Sequence, residues 1–271
     1  MAFDVFNDLK FNVDMQGDHY GSKFWQNFQN LLYEPDTVNF VRRFAPNSVF
    51  LDVGAANGAF SLLAGVYAKK LIAYEPDPRV FSVLKKNVEL NRSIIQNVIL
   101  KNGAVSNFNG EIIFSNHSDS KVISEIVFTG QLSQETIKIP VFSLASEIES
   151  VHENRNIELV IKIDIEGAEW KMLSDSSVIR SLHDHSALLL LAVHPGFYRP
   201  HKKKIKLWDR LTFSLWAFRN RIDSRKLFEQ ISKKGNIYRT NFNPVLEKKN
   251  FVRLVDSGYH EFIIDFGKRF Y

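Results

Sequence analysis

The sequence predicts an α/β fold, a doubly wound and mostly parallel sheet with helices on both faces. Three observations predict it. Short runs of Val, Ile and Leu alternate with segments of helical period. Those runs are apolar at consecutive positions, as strands covered on both sides require. The first passes directly into a glycine-bearing turn and a helix, the start of a βαβ unit. With 271 residues, 45% of them hydrophobic, the chain can bury a full core, and a single domain over 1–271 is expected.

Each element follows in order. Residues 1–45 are expected to form a helical lead-in. "SVFLDV" (48–53) reads as a strand, "FSLLAGVYAKK" (60–70) as a helix and "LIAYEP" (71–76) as a strand. "PRVFSVLKKNVELN" (78–91) is a helix opened by Pro78 and closed near Asn91, and "NVILKNGAV" (97–105) a third strand. Between 111 and 141 the pattern changes. "EIIFS", "VISEIVF" and "TIKIPV" are short strands separated by Ser, Asn, Asp and Gly, which makes an inserted β segment. "ELVIKID" (158–164), "GAEWKMLSD" (167–175) and "ALLLLAV" (187–193) resume as strand, helix and strand. Near the end only "HEFIIDF" (260–266) reads as a strand, which leaves the last sheet edge uncounted.

Composition excludes several classes. There is no cysteine, so neither a disulfide framework nor a thiolate metal site is available. The first twenty residues lack the basic start and apolar core of a signal peptide, and no apolar run reaches the ~18 residues a spanning helix needs. A soluble, cytoplasmic protein is expected. Charge is uneven: residues 201–250 carry 14 basic against 4 acidic side chains, a net +10, while the rest of the chain sums to −5. Ile205, Trp208, Leu211, Leu215, Phe218 and Ile222 recur there at helical spacing, so a basic, aromatic helical cap is expected over about 199–245. That surface suits an anionic glycan, a nucleotide-sugar or a membrane surface; a solvated helix face accounts for the same charges.

Ligands of such sheets sit beyond the carboxyl ends of the strands, where the strand order reverses. "VFLDVGAANGAFS" (49–61) belongs there. Gly54 and Gly58 allow a tight turn and close backbone approach, Ala55 and Ala56 keep the wall thin, and Asn57 lies between. A pyrophosphate site wants G-x-G-x-x-G, and this loop has G-A-A-N-G with Asp52 before it. Asp52 would repel a pyrophosphate but accept hydrogen bonds from an ammonium, directly or through water. The ligand expected is therefore a nucleoside with a cationic amino-acid tail. Glu75, followed by Pro76 at the second strand's exit, is spaced to accept both ribose hydroxyls. Asn102, with the Gly103 and Ala104 backbone, ends the third strand where an adenine edge would lie.

"FLDVGAANG", "IAYEP", "LKNGAVSNFNGEI" and above all "VIKIDIEGAEWKML" resemble, in order and spacing, the FkbM-type methyltransferases of the class I S-adenosylmethionine-dependent superfamily, with "YEPDTVNFVRRF" similar to that family's lead-in. The resemblance covers roughly residues 30–195, and K-I-D-I-E-G-A-E at 162–169 is its most specific element. It implies a Rossmann-like fold and methyl transfer from S-adenosylmethionine to an oxygen, commonly a hydroxyl of a sugar or secondary metabolite. By position it carries over Asp52, Gly54, Asn57, Gly58 and Glu75 as cofactor-binding residues.

The chemistry asks for an acceptor oxygen held in line with the methyl and a base to take its proton. Asp164 and Glu166 at the fourth strand's exit, Glu169 one turn into a helix, and His194 at the end of the fifth strand are the candidates. Glu166 and Glu169 are expected at i and i+3 on one helix face. Lys162, within the strand, must pair with a carboxylate if it points inward. The same acids and His194 suit magnesium or manganese, but no zinc spacing is present; a metal-free reaction is the expectation and a divalent-metal one the alternative. Two other readings stand beside O-methyl transfer: an RNA methyltransferase on the same fold, without an aromatic RNA-binding signature, and a non-catalytic nucleoside-binding module.

Overall fold

A computed structural model of the protein describes residues 2–5, 9–14, 21–115, 136–165, 167–194 and 221–270. The "VISEIVF" strand, Glu166 and residues 199–220 of the basic cap lie outside the described residues.

The N-terminal segment corrects the expectation of a purely helical lead-in. Strands β1 (Ala2–Val5) and β2 (Leu9–Asn12) pair antiparallel as a hairpin before helices α1 (Gly21–Gln29) and α2 (Pro35–Phe44). The hairpin is tied to the domain by Asn91, whose side chain accepts from the Asn12 N–H (2.9 Å) and donates to its carbonyl (2.7 Å). A strand of four residues carries too little period to be seen in sequence.

The βα units follow: β3 (Val49–Val53), α3 (Ala59–Tyr67), β4 (Lys70–Glu75), α4 (Pro78–Leu90) and β5 (Val98–Asn102). Pro78 opens α4 and Asp77 caps it, accepting from the Arg79 N–H at 2.8 Å. "NVILKNGAV" divides at Gly103. Beyond it β6 (Ala104–Ser106) joins β7 (Gly110–Ser115) and β8 (Thr136–Ser143) in a separate three-stranded sheet ordered β6-β8-β7. Then come α5 (Leu144–Val151), β9 (Leu159–Ile163), α6 (Glu169–Leu173), α7 (Ser176–Asp184) and β10 (Leu188–Ala192). A helix α8 is described over 221–231, followed by β11 (Asn236–Arg239), α9 (Lys248–Asp256) and β12 (Glu261–Asp265).

The main sheet has seven strands in the order β11-β12-β10-β9-β3-β4-β5. The pairs from β10 to β5 are parallel, whereas β12 runs antiparallel to both β10 and β11. The uncounted edge is therefore an antiparallel closing pair. β3, β9 and β10 are almost wholly buried because both faces are covered. One face packs Leu51, Ile161, Leu189 and Phe262 against α5, α7 and α9; the other packs Phe50, Val160, Leu190 and Ile263 against α2, α3 and α4. The strand order reverses between β3 and β9, so the crevice opens at the carboxyl ends of β3, β4, β9 and β10.

Candidate active site

The loop after β3 folds over the end of β4, with the Gly54 and Ala55 N–H groups donating to the Tyr74 carbonyl (3.1 and 2.9 Å). Gly54 and Gly58 have φ of 84° and 92°, a region that side chains rarely adopt. A Cβ on Gly54 would stand 1.9 Å from the Asp164 carbonyl oxygen, and one on Gly58 would stand 2.6 Å from Leu84. Both glycines are thus required by the approach of β9 and α4, beyond any clearance for a ligand.

Glu75 pins this loop to the exit of β4. Its carboxylate accepts from the Ala56 N–H (3.0 Å) and the Asp77 N–H (2.8 Å), and the residue is 5% exposed. Asn102 braces the turn from beneath, spending both amide hydrogens on the Glu75 and Pro76 carbonyls (2.8 and 3.2 Å). The amide hydrogens of Asn102, which ends the strand expected beside an adenine edge, are thus committed to backbone. Asn57 is buried, accepts from the Ala59 N–H at 3.3 Å and has its carbonyl held by Asn87 at 2.8 Å. Pro76, Gly103 and Ala104 line a cleft on one side of Gly54, and Ala55, Asn57, Tyr33 and Phe24 line a second on the other.

Asp52 requires the clearest correction. It is fully buried and faces inward, accepting from Ser61 Oγ (2.6 Å) beside the Lys162 ammonium (3.5 Å), so it is not placed to meet a ligand's amine directly. Lys162 is 4% exposed and lies between Asp52 and Asp164 (3.6 Å), with Phe60 beneath its ammonium at 5.3 Å. Burial alone would depress its pKa, but Asp52, Asp164 and Glu34 together hold it above the ordinary lysine value, so the ammonium keeps its proton. The strand register explains the arrangement: Asp52 is paired with Lys162, so both point to the same sheet face.

His194 follows β10 with two carboxylates around its ring. Nδ1 lies 3.2 Å from Glu169 and Nε2 lies 3.6 Å from Asp164. The side chains of His194 and Asp164 are 30% and 25% exposed, within reach of a ligand, whereas that of Glu169 is wholly buried. Glu169 is the first residue of α6 and not one turn inside it, and its expected i, i+3 partner Glu166 lies outside the described residues. Its carboxylate turns back to accept from the Gly167 N–H (2.8 Å) and the Ile165 N–H (3.3 Å), fixing the turn that supports His194. Among the described residues no three His, Asp or Glu side chains are grouped so as to hold a metal ion.

A family model described as the methyltransferase FkbM domain matches residues 52–191, from Asp52 in β3 to Leu191 in β10. The chain belongs to the FkbM methyltransferase family. It is an S-adenosylmethionine-dependent methyltransferase. No curated protein sequence matches it significantly. Among solved structures it is similar to precorrin 8W decarboxylase of Methanobacterium thermoautotrophicum (12% identity, 74% of each chain, TM-score 0.34). It is also similar to precorrin-6y C5,15-methyltransferase of Geobacter metallireducens GS-15 (12% identity, 78% of this chain and 76% of that one, TM-score 0.33). A third is Methanocaldococcus jannaschii Trm5 in complex with adenosine (15% identity, TM-score 0.34), where 70% of this chain spans 40% of the other.

In this methyltransferase the structure also gathers residues that sequence reasoning passed over. Glu34 precedes α2 in a left-handed conformation (φ 42°), and Thr37 in the first turn of α2 donates to Glu261 at 2.9 Å. Burial raises the Glu34 pKa, opposed by Lys162, and pushes Glu261 up to about 7, with the Glu34 charge adding to the rise. Glu34 lies in "YEPDTVNF", which reads as the start of a helix, and Glu261 merely opens a strand. No local signal separates them from solvated acids; only the pairing of β12 beside β10 brings Glu261 to this edge.

Proposed function

We propose that this methyltransferase transfers its methyl group to a hydroxyl of a sugar or another small metabolite, with His194 as general base. The observation that supports this reading is the placement of His194 between two acids. With Nδ1–H donating to buried Glu169, the ring's lone pair lies on Nε2, on the side of the partly exposed Asp164. Nε2 takes the acceptor's proton as the oxygen attacks, and Asp164 offsets the imidazolium charge that results. Glu169 positions the ring and fixes its tautomer. S-adenosylmethionine, when bound, supplies a methyl group already activated on a sulfonium. Glu75, whose carboxylate is anchored by the Ala56 and Asp77 N–H groups at the exit of β4, is assigned to the ribose hydroxyls. Gly54, Ala55, Asn57 and Gly58 form the wall against the cofactor, Pro76 and Ala104 flank its base, and Asp52 acts at one remove by holding Lys162.

The reading is tested in two steps. Thermal unfolding with S-adenosylmethionine, S-adenosylhomocysteine and NAD should show a rise of several degrees with the two sulfur nucleosides only, because a ligand at about 100 times its dissociation constant adds roughly 2.7 kcal/mol. Glu75→Ala should remove that rise. In a screen of hydroxyl-bearing acceptors, His194→Ala should then lower turnover by about 10²- to 10⁴-fold while leaving the cofactor-induced shift in place. A shift with NAD alone, or full turnover in His194→Ala, would refute the proposal.

A further inference from the structure

Beyond the cofactor clefts, a groove of about 480 Å³ opens at the outer end of the same sheet edge, between the turn after β11 and one face of α9. Its walls carry Arg239, Asn243, Asn250, Arg253 and Ser257 and, among the described residues, no acid. Asn250, Arg253 and Ser257 recur at helical spacing, so α9 turns a polar and cationic row toward the groove while Phe251 and Val255 enter the core.

Two cations, Arg239 and Arg253, line the groove. Neither Arg239 nor Arg253 forms an ion pair with any described residue, and the nearest acid on α9, Asp256, is committed to Arg221 at 2.8 Å. The Arg239 Nε is buried and has no hydrogen-bond partner among the described residues. A donor left in that state costs free energy, and a resident cation with an open donor is matched by an anion that supplies acceptors.

Arg239 is also held in place beforehand. Its guanidinium lies over the Tyr259 ring at 4.9 Å, and that ring is fixed by a closed set of bonds. The Thr240 N–H donates to Tyr259 Oη (2.8 Å), and Thr240 Oγ1 donates to Asp36 (2.6 Å). Thr240 Oγ1 therefore has only acceptor capacity left for Tyr259, 2.9 Å away, and the phenol must be the donor. A stacked guanidinium on a locked ring loses little freedom when it grips a ligand.

The groove lies within reach of the reacting end. β11 and β10 are separated only by β12, so Arg239 at the end of β11 is about 10 Å, two strand spacings, from the end of β10 that leads to His194. His260, stacked on His194 at 6.3 Å between ring centres, continues the wall toward Tyr259.

We propose that Arg239 and Arg253 form a subsite for a phosphoryl group of the acceptor, so that the methylated molecule is a phosphate-bearing sugar or metabolite whose hydroxyl is presented to His194. The methylation part rests on the function proposed above; the anion subsite does not. The planar forks of two guanidiniums match phosphate oxygens, and their combined charge matches a phosphate dianion. A groove of this size accommodates a sugar phosphate.

The test is titration of the ¹⁵N-labelled protein with pyrophosphate, glucose 1-phosphate and glucose at constant ionic strength, with S-adenosylhomocysteine binding measured in parallel. Both phosphates should give saturable shifts confined to residues 239–243 and the α9 face, and glucose none. Arg253→Gln, an exposed change, and Arg239→Gln should each weaken the phosphates about tenfold or more without altering S-adenosylhomocysteine affinity. Shifts that are absent, scattered or equal in the variants would overturn the subsite, whatever the nucleoside does. Loss of S-adenosylhomocysteine binding in the unaltered protein would instead overturn the methyltransferase site while leaving the anion result to stand.

Discussion

A lysine at 4% exposure survives only in the company of charges that repay its lost hydration, and Lys162 has Asp52 on one side and Asp164 on the other. Replacing it by Met would leave Asp52 fully buried without its cation. Lys162→Met is expected to cost about 3–5 kcal/mol in urea unfolding, and Asp52→Asn in the same background should recover part of that loss, because the uncompensated charge is then gone. Glu261 supplies a residue-scale prediction of the opposite kind. Its folded pKa of about 7 lies above the ordinary 4.5, so its contribution is complete below about pH 4.5 and is lost as pH rises through 7. Glu261→Gln should therefore gain in melting temperature relative to the unaltered protein between pH 5 and 8. A difference constant with pH would show that this carboxyl titrates normally. That Lys162 must be paired was legible in sequence, because a polar residue in an apolar strand leaves little choice. Its primary partner was not, since the registry of β3 against β9 is a property of the sheet.

Among the elements, those with a long, strong period were readable and the short ones were not. α4 could be bounded by Pro78 and Asn91 because both ends carry chemical signals. β11 has four residues, of which Ile237 and Tyr238 are its buried core positions, and it becomes a strand only because β12 offers an edge. The glycine loop was legible as a tight turn, but not that β9 imposes it. Helices α5 and α7 are joined at their ends by a contact that sequence could not foretell: His152 and His185 meet Nδ1 to Nδ1 at 2.8 Å, both buried. His152 bonds the Ile157 carbonyl through Nε2, so its Nδ1 is the acceptor and His185 the donor. Glu149 lies 3.0 Å from His185 Nε2 and 3.6 Å from Arg155, completing the charges around the pair. Burial above all keeps the His152 pKa below its usual value, with His185 and Arg155 adding to it. This junction is stable while His152 is neutral and is weakened as pH falls through 6.5 and below. Hydrogen-exchange protection factors at the ends of α5 and α7 should fall between pH 7 and 5 more than in β3 or β9, and His152→Gln should flatten that dependence.

At the scale of the molecule, the doubly wound sheet was foreseeable from its apolar runs, because strands buried on both faces have nowhere to place polar residues. What could not be foreseen was the closing of the edge. The polar groups at the carboxyl end are drawn from α2, β3, β9, β10, α6 and β12, and only the strand order makes them neighbours. Local pattern therefore finds the loop and Glu75, which lie in one continuous βαβ unit, and misses Glu34 and Glu261, which are separated by nearly the whole chain.

The position of β12 also sets a timetable. It lies inside the sheet, between β10 and β11, yet its residues 261–265 leave the ribosome after every other described strand. Until they emerge, β10 has an open edge and the row Leu189 and Leu191 lacks part of its cover. The growing chain can form β3 to β5 and the loop around Glu75 early, but His194 and Arg239 gain their common neighbour last. The loop around Glu75 is thus within reach of the nascent protein before the ends of β10 and β11 are joined through β12.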